Sequence, residues 1–236
     1  MDKLAKEIID LLKQLISVPS LSREEDKTAD LLNSFFNSQG VKIERYLNNI
    51  WTKNKYFDKA KPTILLNSHH DTVKPNKGYT KDPFNPEVAD GKLYGLGSND
   101  AGGPLVALIG TFLYFHNLEN LKYNVVVAAT AEEEISGKNG IEALLPQLPS
   151  IDFAIVGEPT LMQMAVAEKG LLVIDCYSKG VSGHAARNEG INSIYNALED
   201  INWFKNFEFP DISPSLGKIH MNVTQIEAGS QHNVVF

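Results

Sequence analysis

Thr63-Ile64-Leu65-Leu66-Asn67-Ser68-His69-His70-Asp71 runs from a short apolar segment straight into two imidazoles and a carboxylate. Such a run predicts a buried strand over residues 63–67. The same grammar recurs along the chain. Residues 125–130 lead to Glu132-Glu133-Glu134, residues 153–156 lead to Gly157-Glu158-Pro159, and Gly95-Leu96-Gly97-Ser98-Asn99-Asp100 opens onto a helix. Strands that repeatedly stop at charged tips predict the mouth of an α/β sheet, the edge where such sheets bind ligands. Imidazole with several carboxylates is the donor set of a catalytic divalent-metal centre.

Outward from these tips, helices alternate with strands. Leu4, Ile8, Leu11, Leu12, Leu15 and Ile16 recur at helical spacing until Val18-Pro19 stops them. Ser22 and Glu25 read as a capping box for a second helix through Ala29, Leu32 and Phe36, ending at Gly40. Val41 and Ile43 alternate with Lys42 and Glu44 as a half-exposed strand, and another is expected over residues 50–57. Residues 74–91 carry three prolines and no periodicity, and read as a long loop. Further helices are expected over residues 105–115 and near 141–145. Past Lys169-Gly170 the character changes, with a strand over 171–178, a helix over 191–204 and an alternating strand over 218–226. The expected division is an α/β unit over residues 1–168, its sheet covered on both faces, and a smaller α+β unit over residues 169–236.

At roughly 150 residues per domain, 236 residues allow one or two domains, and 43% hydrophobic content supplies a sizeable core. A net charge of -7 without a basic run speaks against nucleic acid as a partner. Cys176 is the only cysteine, which excludes an intrachain disulfide and a Cys-rich zinc finger. Its apolar surroundings over residues 171–177 read as those of a packed, inert thiol. The N-terminus mixes charged and apolar residues, unlike a signal peptide, and no stretch approaches the ~20 apolar residues of a membrane span. A soluble, cytoplasmic chain is expected.

His69 and Asp71 are two apart, so on a continued strand they share a face while His70 points away. That suits a metal-bound His69 oriented by a carboxylate, although spacing alone leaves His70 open as the ligand and a surface turn fits equally. Asp100, flanked by glycines, reads in isolation as a helix N-cap. Glu132-Glu133-Glu134 reads either as a solvated turn or, beside a metal, as a ligand next to a base. Glu158 alone is an exposed turn residue. Their joint occurrence in order, each after a strand, is what favours the metal centre.

Ser-His-His-Asp-Thr-Val (68–73), Gly-Leu-Gly-Ser-Asn-Asp (95–100), Ala-Glu-Glu-Glu-Ile-Ser-Gly (131–137) and Val-Gly-Glu-Pro-Thr (156–160) together resemble the M20 family of metallopeptidases and deacylases. The resemblance implies a mixed-sheet α/β catalytic domain over 1–168 holding two divalent metal ions, zinc by default, with cobalt or manganese as alternatives. It implies His69, Asp100, Glu134 and Glu158 as metal ligands, Asp100 bridging the two ions. Glu133 would be the general base and Asp71 the residue that orients His69. Residues 169–236 resemble part of the family's α+β dimerisation or lid domain, so a homodimer is implied. Gly180-Val181-Ser182-Gly183-His184-Ala185 matches the segment whose histidine steadies the oxyanion in the partner's site, and Asn233 matches an asparagine near the substrate. Without the resemblance His184 is a solvated loop residue. His116 and His220 have no matching role and read as structural.

The implied reaction is hydrolysis of the amide of a small N-acyl amino acid. Acetylornithine or succinylornithine deacylation in arginine biosynthesis comes first, because Glu158-Pro159-Thr160 is closer to that branch and to succinyl-diaminopimelate desuccinylases than to the peptidases. Succinyl-diaminopimelate desuccinylation and dipeptidase or carboxypeptidase activity follow. Leu96 stands where many members carry Arg, and Ala101-Gly102 replaces a frequent Met-Lys, which implies a sub-branch with its ligands intact. The family usually continues well past the position of Phe236, through the last histidine ligand of the second metal. A truncated form of a longer enzyme is therefore expected, and an inactive fragment that binds metal or a partner is the rival of another class.

Overall fold

The computed structural model describes residues 2–230, 232, 234 and 235. They form two compact units, Met1–Met162 and Gln163–Phe236, so the break falls ahead of Lys169-Gly170. The first unit runs α1 (Asp2–Ile16), α2 (Asp26–Ser38), β1 (Glu44–Tyr46), β2 (Asn49–Lys53), β3 (Thr63–His69), β4 (Glu87–Ala89), β5 (Lys92–Tyr94), α3 (Gly103–His116), β6 (Asn124–Thr130), α4 (Ile141–Leu144) and β7 (Phe153–Val156). Its five-stranded sheet has the order β1-β2-β6-β3-β7. β3 lies parallel to both β6 and β7, with His69 opposite Thr130 and Asn67 opposite Val156. β2 runs antiparallel to β6 and β1 antiparallel to β2, so the sheet is mixed.

Every residue of β6 is buried, as a central strand covered on both faces requires. Val125, Val127 and Ala129 pack with Leu11, Leu15, Leu32, Phe36, Leu105, Ile109 and Phe112 from the three long helices. Val126 and Ala128 point the other way, onto Trp51, Leu65 and Leu144. This period-2 division sorts one apolar run between two cores. Each fully buried large side chain contributes about 1.5–3 kcal/mol relative to an exposed one. Because β3, β6 and β7 are parallel, their C-terminal ends emerge along one edge of the sheet.

Several local expectations are corrected. Residues 41–43 are not a strand; Val41 is buried against α2, and the strand begins at Glu44 with all three of its residues exposed. The strand expected over 50–57 stops at Lys53. The long loop contains a hairpin, β4 paired antiparallel with β5 across Asp90-Gly91. Both turn residues have positive φ, 49° and 73°, the conformation that an Asp-Gly hairpin turn needs. Ser22 and Glu25 form no capping box, since the α2 N-cap, Glu25, makes no side-chain cap bond. Both side chains are directed into long-range contacts instead.

α5 (Ser193–Asn206) forms over the expected helix, its N-cap Asn192 accepting the Ile194 N–H at 2.9 Å. Trp203 stacks on Phe207 at 4.6 Å, and Phe207 meets Phe209 edge-on. Gly183–His184 pairs antiparallel with Val234–Val235. The strands expected over 171–178 and 218–226 are absent among the described residues. Leu171 is 89% exposed and Val173 78%, so these runs have neither a neighbouring strand for their amides nor a covered face. Cys176 is exposed for the same reason, not packed as the sequence led us to expect.

Candidate metal centre

The parallel ends of β3, β6 and β7 carry the charged tips. His69 closes β3, 1% exposed, and its Nε2 lies 3.2 Å from Asp100 Oδ1, 3.7 Å from Glu133 Oε2 and 3.8 Å from Glu158 Oε2. Ligand atoms of His69, Asp100 and Glu134 all lie within 4.8 Å of one another. Asp100 and Glu133 remain more than half exposed, so a buried imidazole forms the floor of an open acidic bowl.

Backbone close approach brings the tips together. Ser68 Oγ donates to the Gly157 carbonyl at 2.8 Å, and the Gly157 N–H donates to Asn67 at 2.7 Å. A Cβ on Gly157 would crowd Leu108 Cδ1 at 2.9 Å and Pro104 Cβ at 3.1 Å, so glycine keeps this close approach relaxed. Gly97, at φ +73°, turns the loop bearing Asp100 against Thr72.

His69 Nδ1 sits 3.0 Å from the Asp71 backbone carbonyl and 3.4 Å from its carboxylate. Asp71 is 0% exposed and accepts the Ser22 hydroxyl at 2.7 Å, the Glu133 N–H at 3.1 Å and the Glu134 N–H at 3.2 Å. His70 points away. Its Nε2 lies 2.9 Å from the Asn48 carbonyl and its Nδ1 2.9 Å from the Thr28 hydroxyl, so both ring nitrogens are occupied. That removes His70 as a metal ligand.

The acidic turn adopts a strained entry. Glu132 has φ 54° and ψ 24°, a left-handed conformation that costs a residue with a side chain about 1–3 kcal/mol unless its surroundings impose it. Its carboxylate takes the Asn139 Nδ2–H at 2.8 Å, and its carbonyl accepts the Gly137 N–H. Glu132 is buried while Glu133 and Glu134 face the bowl, so the three adjacent glutamates have different environments.

Residues 65–230 match the sequence profile of peptidase family M20/M25/M40, which covers well over half of the chain. The chain belongs to this family. It is 27% identical over 240 residues to a succinyl-diaminopimelate desuccinylase of Wolbachia pipientis subsp. Culex pipiens, covering 95% of this chain and 60% of the relative. It is 32% identical over 200 residues to an acetylornithine deacetylase of Buchnera aphidicola subsp. Schizaphis graminum, covering 79% of this chain and 52% of the relative. The chain thus spans between half and two thirds of the length of these relatives. A tripeptidase structure from Staphylococcus aureus subsp. aureus Mu50 superposes over 98% of this chain and 63% of its own, with TM-score 0.62 and 19% identity, which establishes the shared fold.

The donor set of this M20 chain fits divalent cations. Burial favours a neutral His69 ring, but the hydrogen bond and charge of Asp71, with the charges of Glu158 and Glu133, outweigh it and push its pKa from 6.5 up to about 9. Burial and the charges of Glu133, Asp100 and Glu134, against the attraction of His69, push Glu158 up to about 6. Burial and Asp100 raise Glu134 likewise. Burial would raise Asp71 too, but the hydrogen bonds from His69, Ser22 and Glu133 hold it below the usual carboxylate range. Crowded carboxylates around a protonated imidazole mark a place where positive charge is stabilising, and a divalent cation would take the role the imidazolium plays.

His184 is in the second unit, exposed, with Nδ1 accepting the Ala186 N–H at 3.2 Å, which leaves the ring proton on Nε2. Asn233 lies outside the described residues. His116 packs beside Phe112 with its Nδ1 buried and unpartnered among the described residues, and His220 is exposed. The sequence reading missed Ser22 as a support of the site, because its Ser-x-x-Glu spacing pointed to a helix cap.

Proposed function

We propose that this chain carries the catalytic centre of a metal-dependent amidohydrolase acting on N-acyl amino acids. The observation that carries the reading is the convergence of His69, Asp100 and Glu134 donors within 4.8 Å, with Glu133 beside them. His69, Asp100, Glu134 and Glu158 would hold two divalent cations, Asp100 between them. Zinc is the first choice, with cobalt or manganese also suited to an oxygen-rich set. Such ions supply Lewis acidity toward a carbonyl and make water acidic near neutral pH.

The chain's own residues supply the rest. Asp71 fixes the orientation of His69 through Nδ1, leaving Nε2 directed into the bowl. Glu133, exposed and off the His69 floor, accepts the proton of the attacking water as the C–O bond forms, then returns it to the leaving amine as the C–N bond breaks. His184, protonated on Nε2, donates to the carbonyl oxygen as it gains charge, and Asn233 contacts the substrate. These two roles belong to a homodimer in which the second unit serves as dimerisation or lid domain and residues 1–168 as catalytic domain. Among the described residues no helix is long and apolar enough to cross a membrane, and a cytoplasmic location accords with small metabolite substrates.

Acetylornithine or succinylornithine in arginine biosynthesis is the preferred substrate class, supported by the name of the Buchnera relative. Succinyl-diaminopimelate, supported by the Wolbachia relative, comes second, and dipeptides third. An amine-release assay with Zn2+ or Co2+ across these compounds tests the order. Turnover of an acylornithine above the others is expected, while turnover of dipeptides alone would refute it. Stoichiometric metal uptake with no hydrolysis of any would favour the non-catalytic reading instead.

A further inference from the structure

Three successive amides of the acidic turn end on two buried carboxylates. Glu133 and Glu134 donate to Asp71, which also meets His69. The Glu132 N–H donates to Glu25 Oε1 at 3.2 Å, across a sequence separation of 107 residues. Glu25 is 0% exposed and is not part of the cluster of His69, Asp100 and Glu134 donors. Its Oε1 also accepts the Arg23 N–H at 2.6 Å, and its Oε2 accepts the Asn48 Nδ2–H at 3.0 Å. Among the described residues, the hydrogen-bond partners of this carboxylate are thus all amide N–H groups. Asn48 in turn accepts from His70 through its carbonyl, so the same cluster braces the end of β3.

A buried carboxylate without a cationic partner is costly to retain, and an apolar residue of the same volume would serve a core better. What Glu25 supplies that an apolar residue cannot is an acceptor for the amide of Glu132, the residue in the left-handed conformation. We propose that Glu25 is a positioning residue for the metal centre. By holding the Glu132 N–H it sets the turn from which Glu133 and Glu134 face His69, while Asp71 takes the next two amides. This rests on the reading of Glu134 as a ligand and Glu133 as the base.

The test uses Co2+ as probe, with affinity from chelator competition and coordination from its visible absorption. Glu25→Met fills the volume but accepts no hydrogen bond; it should weaken Co2+ binding ~10–100-fold, the usual effect of removing a support behind the ligands, and change the spectrum. Glu25→Gln keeps an oxygen for the Glu132 amide and should return affinity to within a few-fold of the parent. Leu144→Ala, in the other core, is the stability control and should lower Tm while leaving affinity and spectrum unchanged. A Met variant with parental Co2+ affinity and spectrum overturns the proposal. So does a Leu144→Ala control that reproduces its changes, or a folded Gln variant as weak as Met. If Met does not fold, Glu25→Asp, one methylene short of the amide, is judged by the same criteria. Glu134→Ala is run alongside. Undiminished Co2+ binding there defeats the ligand reading and the Glu25 proposal with it, whereas loss there beside an unaffected Met variant defeats the Glu25 proposal alone.

Discussion

Asn124–Thr130 in the first unit and residues 171–178 in the second are both short, apolar and rich in β-branched residues, yet only the first is a strand. The first lies between β2 and β3 with helices on one face and Trp51 and Leu144 on the other. The second has Leu171 and Val173 turned to solvent. A strand is a relation between segments, and an apolar run becomes one only where neighbours satisfy its amides and cover its faces. The chemistry follows the same division, since all the acidic tips and His69 belong to the unit that holds the five-stranded sheet.

Expected effects rank from the site outward. Glu133→Gln should lower kcat by ~10^2–10^4-fold while leaving metal stoichiometry intact, as measured by steady-state assay and elemental analysis. Parental turnover in that variant would detach the chemistry from the strand tips. Leu105→Ala, at a fully buried position in α3, should destabilise the fold by about 2–5 kcal/mol in urea unfolding.

The third effect is on pH. His69 has its pKa raised from 6.5 to about 9, so its stabilising charge in the metal-free fold is complete below pH 6.5 and is lost as pH rises through about 9. Glu158, raised from 4.5 to about 6, is destabilising once ionised, and that effect is complete above about pH 6. The metal-free protein should therefore lose stability between pH 6.5 and 9, while Zn2+ affinity rises over the same interval because the metal displaces the His69 proton. Titration calorimetry at pH 7 in buffers of different ionisation enthalpy should register proton release; its absence would contradict the His69 assignment. Ser22→Ala, which removes the hydroxyl from Asp71, should weaken Co2+ binding by ~10-fold, at the mild end for a residue behind the ligands. Leu171→Ala should change stability by less than about 0.5 kcal/mol. A loss matching that of Leu105→Ala would show that the exposed run is packed in solution and would erase the contrast between the units.

β3 and β6 were legible because burial on both faces writes itself as a continuous apolar run, and β7, although exposed, carries the same apolar signature before Glu158. His69, Glu133, Glu134 and Glu158 could be singled out from that pattern, and Asp100 from the glycines on either side of it. The roles of Ser22 and Glu25 could not, because their hydrogen bonds to Asp71 and Glu132 span 49 and 107 residues and leave no local spacing. Ser-x-x-Glu before a helix is also a real local signal, here overridden by tertiary partners. The β4–β5 hairpin was legible in Asp90-Gly91, but three prolines nearby favoured a loop. The apolar run over 171–178 reads as a strand and is not one among the described residues, since an apolar run carries no information about its neighbours.

The bond from Glu132 to Glu25 also bears on how the chain assembles. It joins a segment ahead of α2 to one that follows β6, so closing it brings together chain ends that most of the first unit separates. Contacts of such separation carry a loop-closure cost that local helices never meet. During refolding, helical ellipticity should recover before Co2+ acquires its protein-bound colour, and the lag between the two would clock the arrival of the acidic turn at a sheet already in place.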